Sequence, residues 1–271
     1  MYSIDAHRLT FPNPEDELAF IEEEVEEAPK YIAKVPNNIG VFFVESLRLL
    51  GFRSFLNHPS EEILEALKSA RDLGVGLFMR GSATPDETVR FALGDVSIEV
   101  PGGTSEYNTA SRWISAFGVG LILRDQEALD MLCRYNPIDF KGSNDQYHIA
   151  LATALMAMHN DSEETDAAFE AALERGLGAR DFSEWRRRLG APLVRLARAV
   201  FHHEAEEFDD QVVEALEGYK AMHSRKSESS RAEAYIPVAH LGLCAMAMDR
   251  GMHLEVTSPY LPEWLLSYQP H

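Results

Sequence analysis

Residues 236–248 most constrain what this chain can fold into. Between Ile236 and Met248 the only polar side chain is that of His240. A helix without a polar face is either buried in a protein core or inserted in a membrane. Spanning a bilayer takes about 20 apolar residues, and this run is shorter. We therefore predict a buried central helix, around which the other helices pack.

Both ends of this helix carry recognisable signals. Pro237 lies near the start, where a missing N–H costs least, and Gly251 suits the left-handed residue that follows many helices. The sequence SPYLP at residues 258–262 predicts an extended turn, because each proline disfavours helix in the residue before it. A last helical turn at 263–266 is expected to return Trp264 and Leu266 to the core.

The composition describes an acidic globular protein. The chain has 271 residues, is 45% hydrophobic and has a formal net charge of −19. This charge argues against nucleic acid as a partner, since phosphate binding needs clustered Lys and Arg. It suits plain solubility, and it also suits attraction of a basic protein partner.

The sequence predicts a cytoplasmic protein. No apolar run reaches the roughly 18 residues of a transmembrane helix, and the first residues lack the basic and apolar regions of a secretory signal. Cys133 and Cys244 both lie in apolar helical patterns, which predicts buried, reduced thiols.

Helical periodicity dominates the chain, so we predict an all-α (mostly α) fold. A helix is expected from Pro14, with Asn13 as its cap and an inward stripe from Leu18 to Ala28. Further helices are expected with the following bounds: 39–55, 60–80 with Ser60 as cap, 105–125, 125–135, 146–159, 162–177, 183–201 and 208–223. Gly118 and Gly120 would let a neighbouring helix approach closely.

One segment has a different period. Residues 87–100 alternate in polarity on both sides of Gly94-Asp95, which predicts a β-hairpin attached to the helices. We found no repeat consensus, so the helix pairs form either a bundle or a solenoid-like array. We predict a single domain over residues 1–271, with or without an N-terminal subdomain of residues 1–104.

No motif for catalysis, phosphate binding or cofactor binding was found. The best metal candidate is His202-His203, because on a helix His202 and Glu206, and His203 and Glu207, lie one turn apart. No third ligand is evident, so we predict no metal and no cofactor. Arg124-Asp125 and Asp249-Arg250 each close an apolar helix, and we interpret them as helix-end ion pairs.

Two stretches carry a family resemblance. The first is ASRWISAFG at residues 110–118, followed by Arg124-Asp125. The second combines YIP at 235–237, residues 241–251 and SPYLP at 258–262. Together they resemble immunity protein family 49 of bacterial polymorphic toxin systems, over residues 105–266. The motif positions, which we interpret as structural, are Trp113, Arg124, Asp125, Pro237, Arg250, Gly251, Pro259, Tyr260 and Pro262.

The resemblance implies a cytoplasmic, mostly helical protein, not an enzyme, that binds and neutralises a toxin in bacterial competition. An acidic surface would match a basic toxin such as a nuclease. We predict toxin contacts at the acidic face of Glu22, Glu23, Glu26 and Glu27, and in the loop from Asp139 to Asp145. The alternatives are a helical adaptor that binds peptides in a groove and a metal-dependent hydrolase at His202 and His203.

Overall fold

The computed structural model describes residues 2–141, 146–177 and 186–270. Its α-helices are α1 (Pro14–Glu26), α2 (Ala28–Lys34), α3 (Ile39–Phe55), α4 (Ser60–Ser82), α5 (Ala110–Leu123), α6 (Gln126–Cys133), α7 (Gln146–His159), α8 (Thr165–Leu177), α9 (Ala191–His202), α10 (Ala205–His223), α11 (Val238–Asp249) and α12 (Glu263–Leu266). The strands are β1 (Tyr2–Ser3), β2 (Thr88–Leu93), β3 (Val96–Pro101) and β4 (Val256–Thr257).

These elements confirm the predicted mostly α-helical fold and its hairpin. Strands β2 and β3 pair antiparallel, with Thr88 opposite Pro101 and Leu93 opposite Val96. Gly94 makes the turn with a φ of +55°, which glycine adopts at little cost. Strands β1 and β4 form a short parallel pair that we did not predict, since two-residue strands leave no periodic pattern.

Helix α11 is buried on most of its surface, as the apolar run predicted. Leu241, Cys244 and Ala245 are fully inaccessible to solvent. The helix packs against α5, and a Cβ atom added to Gly118 would lie 2.6 Å from the carbonyl oxygen of Val238. Glycine therefore lets the two backbones touch at this point.

The remaining helices surround this pair. Helix α3 packs against α4, α4 against α5, and α5 against both α6 and α7. On the other side α7 packs against α8, α8 against α9, and α9 against α10 and α11. One continuous cluster of buried residues extends from Ile4 to Leu266. Among the described residues, no helix has both the length and the apolar composition needed to cross a bilayer.

The predicted start of α5 was wrong. The helix begins at Ala110, where the Thr109 hydroxyl accepts the Arg112 N–H. Ser105 instead belongs to a buried turn, in which its N–H and hydroxyl both donate to the Asn108 side chain, at 2.7 and 3.1 Å. A side-chain bond across this turn replaces the helical pattern that we expected there.

Other helix starts also differ from the predictions. Asn13 makes no capping bond, and Pro59 rather than Ser60 occupies the cap position of α4. The first helix ends at Glu26 and a second follows, because Pro29 lacks an N–H and would collide with the carbonyl of Val25 in a continuous helix. Helix α9 begins at Ala191, directly after a π-helical turn at Arg186–Gly190, so the predicted helix 183–201 is helical from residue 186 onward. Residues 183–185, with Trp185, lie outside the described residues.

Candidate functional site

The acidic face that we predicted on the first helix borders an open groove. Phe20, Glu23, Glu24 and Glu27 follow each other at helical spacing on the side of α1 that faces away from the core. This acidic groove has a volume of about 640 Å³. Its lining residues are Phe20, Glu23, Glu24, Glu26, Glu27, Tyr31, Asn38, Val41 and Phe42.

Glu22 does not line this groove. Its Oε1 atom lies 3.0 Å from Nη2 and 3.2 Å from Nε of Arg53 on α3. Arg53 in turn donates to the backbone oxygen of Glu62 at 2.6 Å. Glu22 therefore ties α1 to α3, and its charge is already compensated within the fold.

The other three predicted glutamates differ among themselves. Glu27 binds Lys30, one turn further along the chain. Glu23 and Glu26 are exposed and form no ion pair within the described part of the chain. These two carboxylates are thus available to an external cation.

Sequence reasoning missed the aromatic residues of the groove. Phe20 is 56% exposed and Tyr31 is 45% exposed. The ring of Tyr31 stacks on that of Phe42, with 6.2 Å between ring centres and an interplanar angle of 28°. The signal that could have identified Phe20 was its position on the polar stripe of α1, three residues before Glu23.

The second predicted surface is the turn after Tyr135. Ile138 is 85% exposed at its tip, beside the exposed Asp139. The Asn136 side chain accepts the Ile138 N–H at 3.2 Å, and the Tyr135 hydroxyl donates to the Asp139 oxygen at 3.0 Å. The turn is therefore held rigidly. Asp145, the other end of the predicted loop, lies outside the described residues.

Several motif residues stabilise the interior. Trp113 is fully buried, and its Nε1 donates to the Leu132 oxygen at 2.9 Å. The Asp125 side chain caps α6 by accepting the Ala128 N–H at 3.0 Å, and it also binds Arg71. These groups join α5 to α6 and α6 to α4.

Arg124 joins three helix ends. Its Nε and Nη2 atoms lie 3.0 and 3.2 Å from the Asp249 carboxylate at the end of α11. The same guanidinium donates to the oxygens of Leu265 and Leu266 in α12, at 2.9 and 2.6 Å. Arg250 donates to the Val200 oxygen near the end of α9, at 3.0 Å.

The remaining motif residues shape the segment around α11 and α12. Pro237 and Pro262 occupy the cap positions of α11 and α12. Gly251 follows α11 with a φ of +80°, which favours glycine. Pro259 is exposed, whereas Tyr260 is fully buried.

A cluster of buried histidines and tyrosines also escaped sequence reasoning. The rings of His7 and His223 lie 5.6 Å apart, and Tyr219 lies 4.3 Å from His223 and 5.2 Å from His240. Burial lowers the pKa of His7 and of His240 to about 4, and that of His223 to about 3. All three imidazoles are therefore neutral near pH 7.

Of this cluster, Tyr219, His223 and His240 line a cleft of about 360 Å³, to which α5, α7, α9, α10 and α11 all contribute. His240 is only 4% exposed, and neither of its ring nitrogens has a hydrogen-bond partner among the described residues. Burial raises the pKa of the Cys244 thiol to about 12, so this thiol stays protonated near pH 7.

The expected geometry of the His202-His203 pair was wrong. Helix α9 ends at His202, and His203 has a φ of +58° before α10 begins at Ala205. The two histidines and the following glutamates therefore do not share a helix. His202 instead binds Asp166, with 2.7 Å between Nε2 and Oδ1. Within the described ranges, no three His, Cys, Asp or Glu side chains converge as metal ligands would.

Comparison with known proteins identifies one relationship. A family model described as Immunity protein 49 matches residues 56–265, which is well over half of the chain. No curated protein and no solved structure matches the sequence. The match begins immediately after α3, ends within α12 and includes all the motif residues. It confirms the resemblance inferred from the two sequence stretches, and the acidic groove lies on the N-terminal side of the matched range.

Proposed function

The chain belongs to the immunity protein 49 family, and we propose on that basis that it binds and neutralises a protein toxin in the cytoplasm. The observation that carries the proposal is the family match over residues 56–265. The toxin would be the antibacterial component of a polymorphic toxin system, and the protein would protect the producing cell and its kin.

We propose neutralisation by direct contact rather than by catalysis. The structure offers outward-facing features suited to contact, namely the acidic groove and the rigid turn at Ile138. Protein interfaces typically combine buried apolar anchors with a polar rim. The net charge of −19 would accelerate encounter with a basic toxin.

The proposed interface keeps most of the residues predicted from the sequence. Glu23, Glu26 and Glu27 border the acidic groove, and Asp139 lies beside the exposed Ile138. Asp145 remains part of this proposal on sequence grounds alone. Glu22 supports the interface indirectly, since its bond to Arg53 positions α1.

Co-expression tests this function. The toxic domain encoded next to this chain is expressed in a bacterium, with the chain or with an empty vector. We expect survival only when the chain is present, and a stable complex between the chain and a catalytically inactive form of the toxic domain. Toxicity without relief and without a complex would reject the proposal and favour a peptide-binding adaptor.

A further inference from the structure

We propose that the acidic groove is the docking site for a basic surface segment of the toxin. The stems of its arginine or lysine side chains would pack on the rings of Phe20 and Tyr31. Their charged ends would pair with Glu23, Glu24 and Glu26. This inference rests on the proposed function and names the surface and the chemistry through which it acts.

Phe20 is an exposed aromatic residue on the outer side of α1. Its neighbours Leu18 and Ile21 are buried, at 5% and 0% exposure, and hold α1 on the core. Phe20 points away from them and is 56% exposed, so little of its ring contributes to folding. Phe20 and Tyr31 both line the groove together with several carboxylates, and exposed aromatic rings beside polar groups are the composition of a protein-binding surface.

The groove carries a surplus of negative charge. Glu23, Glu24 and Glu26 form no ion pair within the described ranges. Burial raises the pKa of the nearby Glu45, and the charge of Glu24 raises it further against the lowering effect of Arg48. Carboxylates therefore repel one another here, and a bound cation would relieve that repulsion.

Tyr31 and Phe42 form an aromatic floor in the groove. Tyr31 is held by its stacking on Phe42, which is only 7% exposed. The Nζ atoms of Lys30 and Lys34 lie 5.9 Å from the centre of the Tyr31 ring, at the limit of cation–π attraction. Ammonium groups can therefore lie beside this ring, and a basic segment of the toxin would take the place of these two lysine side chains.

Arginine fits both parts of the groove. Its planar guanidinium stacks on aromatic rings and forms paired hydrogen bonds with carboxylates. A basic segment is therefore the partner whose charge and shape the groove complements, and long-range attraction would bring it there.

Binding kinetics test the inference. The probe is the purified, inactive toxic domain encoded by the adjacent gene. We expect E23K/E26K to lower the association rate at low salt by about tenfold and to flatten its salt dependence. We expect F20A to raise the dissociation rate by about tenfold. Melting curves verify that both variants fold, as the exposure of all three residues predicts.

The matched control is E163K/E164K. It makes the same charge change at exposed glutamates between α7 and α8. We expect it to change the association rate by less than about threefold, since it alters the net charge but not the groove. An equal effect of both double variants would overturn docking at the groove, because only total charge would then matter.

Hydrogen exchange of the unaltered protein provides a second measurement. Protection of α1 and α2 amides in the complex is expected. One outcome would reject only this inference. In that outcome the wild-type protein binds the toxic domain and keeps cells alive, but the groove variants bind as the wild type does and the α1 and α2 amides exchange as fast in the complex as in the free protein. If the wild-type protein neither binds the toxic domain nor protects cells, the proposed function fails with it.

Discussion

The hydroxyl group of Tyr260 lies 2.8 Å from the backbone nitrogen of His7 and 2.7 Å from the Nδ1 atom of the same residue. The Tyr260 oxygen accepts the backbone N–H of His7, and its hydroxyl group shares a second hydrogen bond with Nδ1, whose direction depends on the tautomer of the imidazole. Burial lowers the pKa of His7 to about 4, so this imidazole is neutral near pH 7. Tyr260, a motif residue near the C-terminal end, thus holds the N-terminal segment in place.

Removal of this hydroxyl in Tyr260→Phe should destabilise the fold by about 1–3 kcal/mol, because a buried N–H loses its acceptor. Urea unfolding monitored by circular dichroism measures the loss. Tyr268→Phe is the control, since the Tyr268 hydroxyl makes no hydrogen bond within the described residues. A similar small change in both variants would show that the bond to His7 contributes little.

Stability should fall as the pH drops from about 6.5 toward 4. Burial lowers the folded-state pKa values of His7 and His240 to about 4 and that of His223 to about 3, from an ordinary value of 6.5. Within this window the unfolded chain binds protons that the folded chain does not, at a cost of up to about 1.4 kcal/mol per pH unit for each histidine. Above pH 7 these three histidines do not make the free energy of unfolding depend on pH.

Urea unfolding at a series of pH values measures this dependence. The variant His223→Gln should reduce the change in unfolding free energy per pH unit, because one of the three imidazoles is then missing. The control His202→Gln alters a histidine that pairs with Asp166 on the surface, and it should leave the acid-side slope closer to wild type. Identical slopes in wild type and His223→Gln would contradict the assignment.

Arg124→Ala should destabilise the protein by about 2–4 kcal/mol, because one guanidinium serves Asp249 and two carbonyl groups of α12. Arg124→Lys should restore only part of this stability, since an ammonium cannot reproduce the fork of donors. Arg195→Ala, which removes an exposed pair with Glu214, is expected to cost less than about 1 kcal/mol. Thermal and urea unfolding measure the stabilities of the three variants relative to the wild-type protein.

Gly118→Ala should destabilise the fold more than Gly120→Ala. A Cβ at Gly118 would lie 2.6 Å from a backbone oxygen of α11, whereas a Cβ at Gly120 would meet the Cδ2 atom of Leu129 at 2.8 Å. A side-chain end can rotate away, but packed backbones must separate, at a cost of about 1–3 kcal/mol. Equal unfolding free energies for the two variants would contradict this difference.

The candidate site was only partly predictable. Glu23, Glu26 and Glu27 could be assigned to the outer side of α1 from helical spacing alone. The ion pair that neutralises Glu22 could not be predicted, because Arg53 lies 31 residues away and only the packing of α1 on α3 brings the two together. Tyr31 joins the groove only because the chain bends between α1 and α2.

The sequence by itself determined the features whose causes are local. Runs of apolar and helix-forming residues defined α3 and α7, Gly94-Asp95 defined the hairpin turn, and the proline spacing defined α12. Each signal acts between residues a few positions apart, so no knowledge of the fold was needed.

Only the tertiary structure decided which distant groups meet. Arg124 and Asp249, which each end an apolar helix, bind each other because α5 and α11 lie side by side. His7, His223 and His240 share one cluster because the N-terminal segment packs against α10 and α11. Such contacts depend on the three-dimensional arrangement of whole helices, and no pattern of local spacing encodes which of many possible partners will be adjacent.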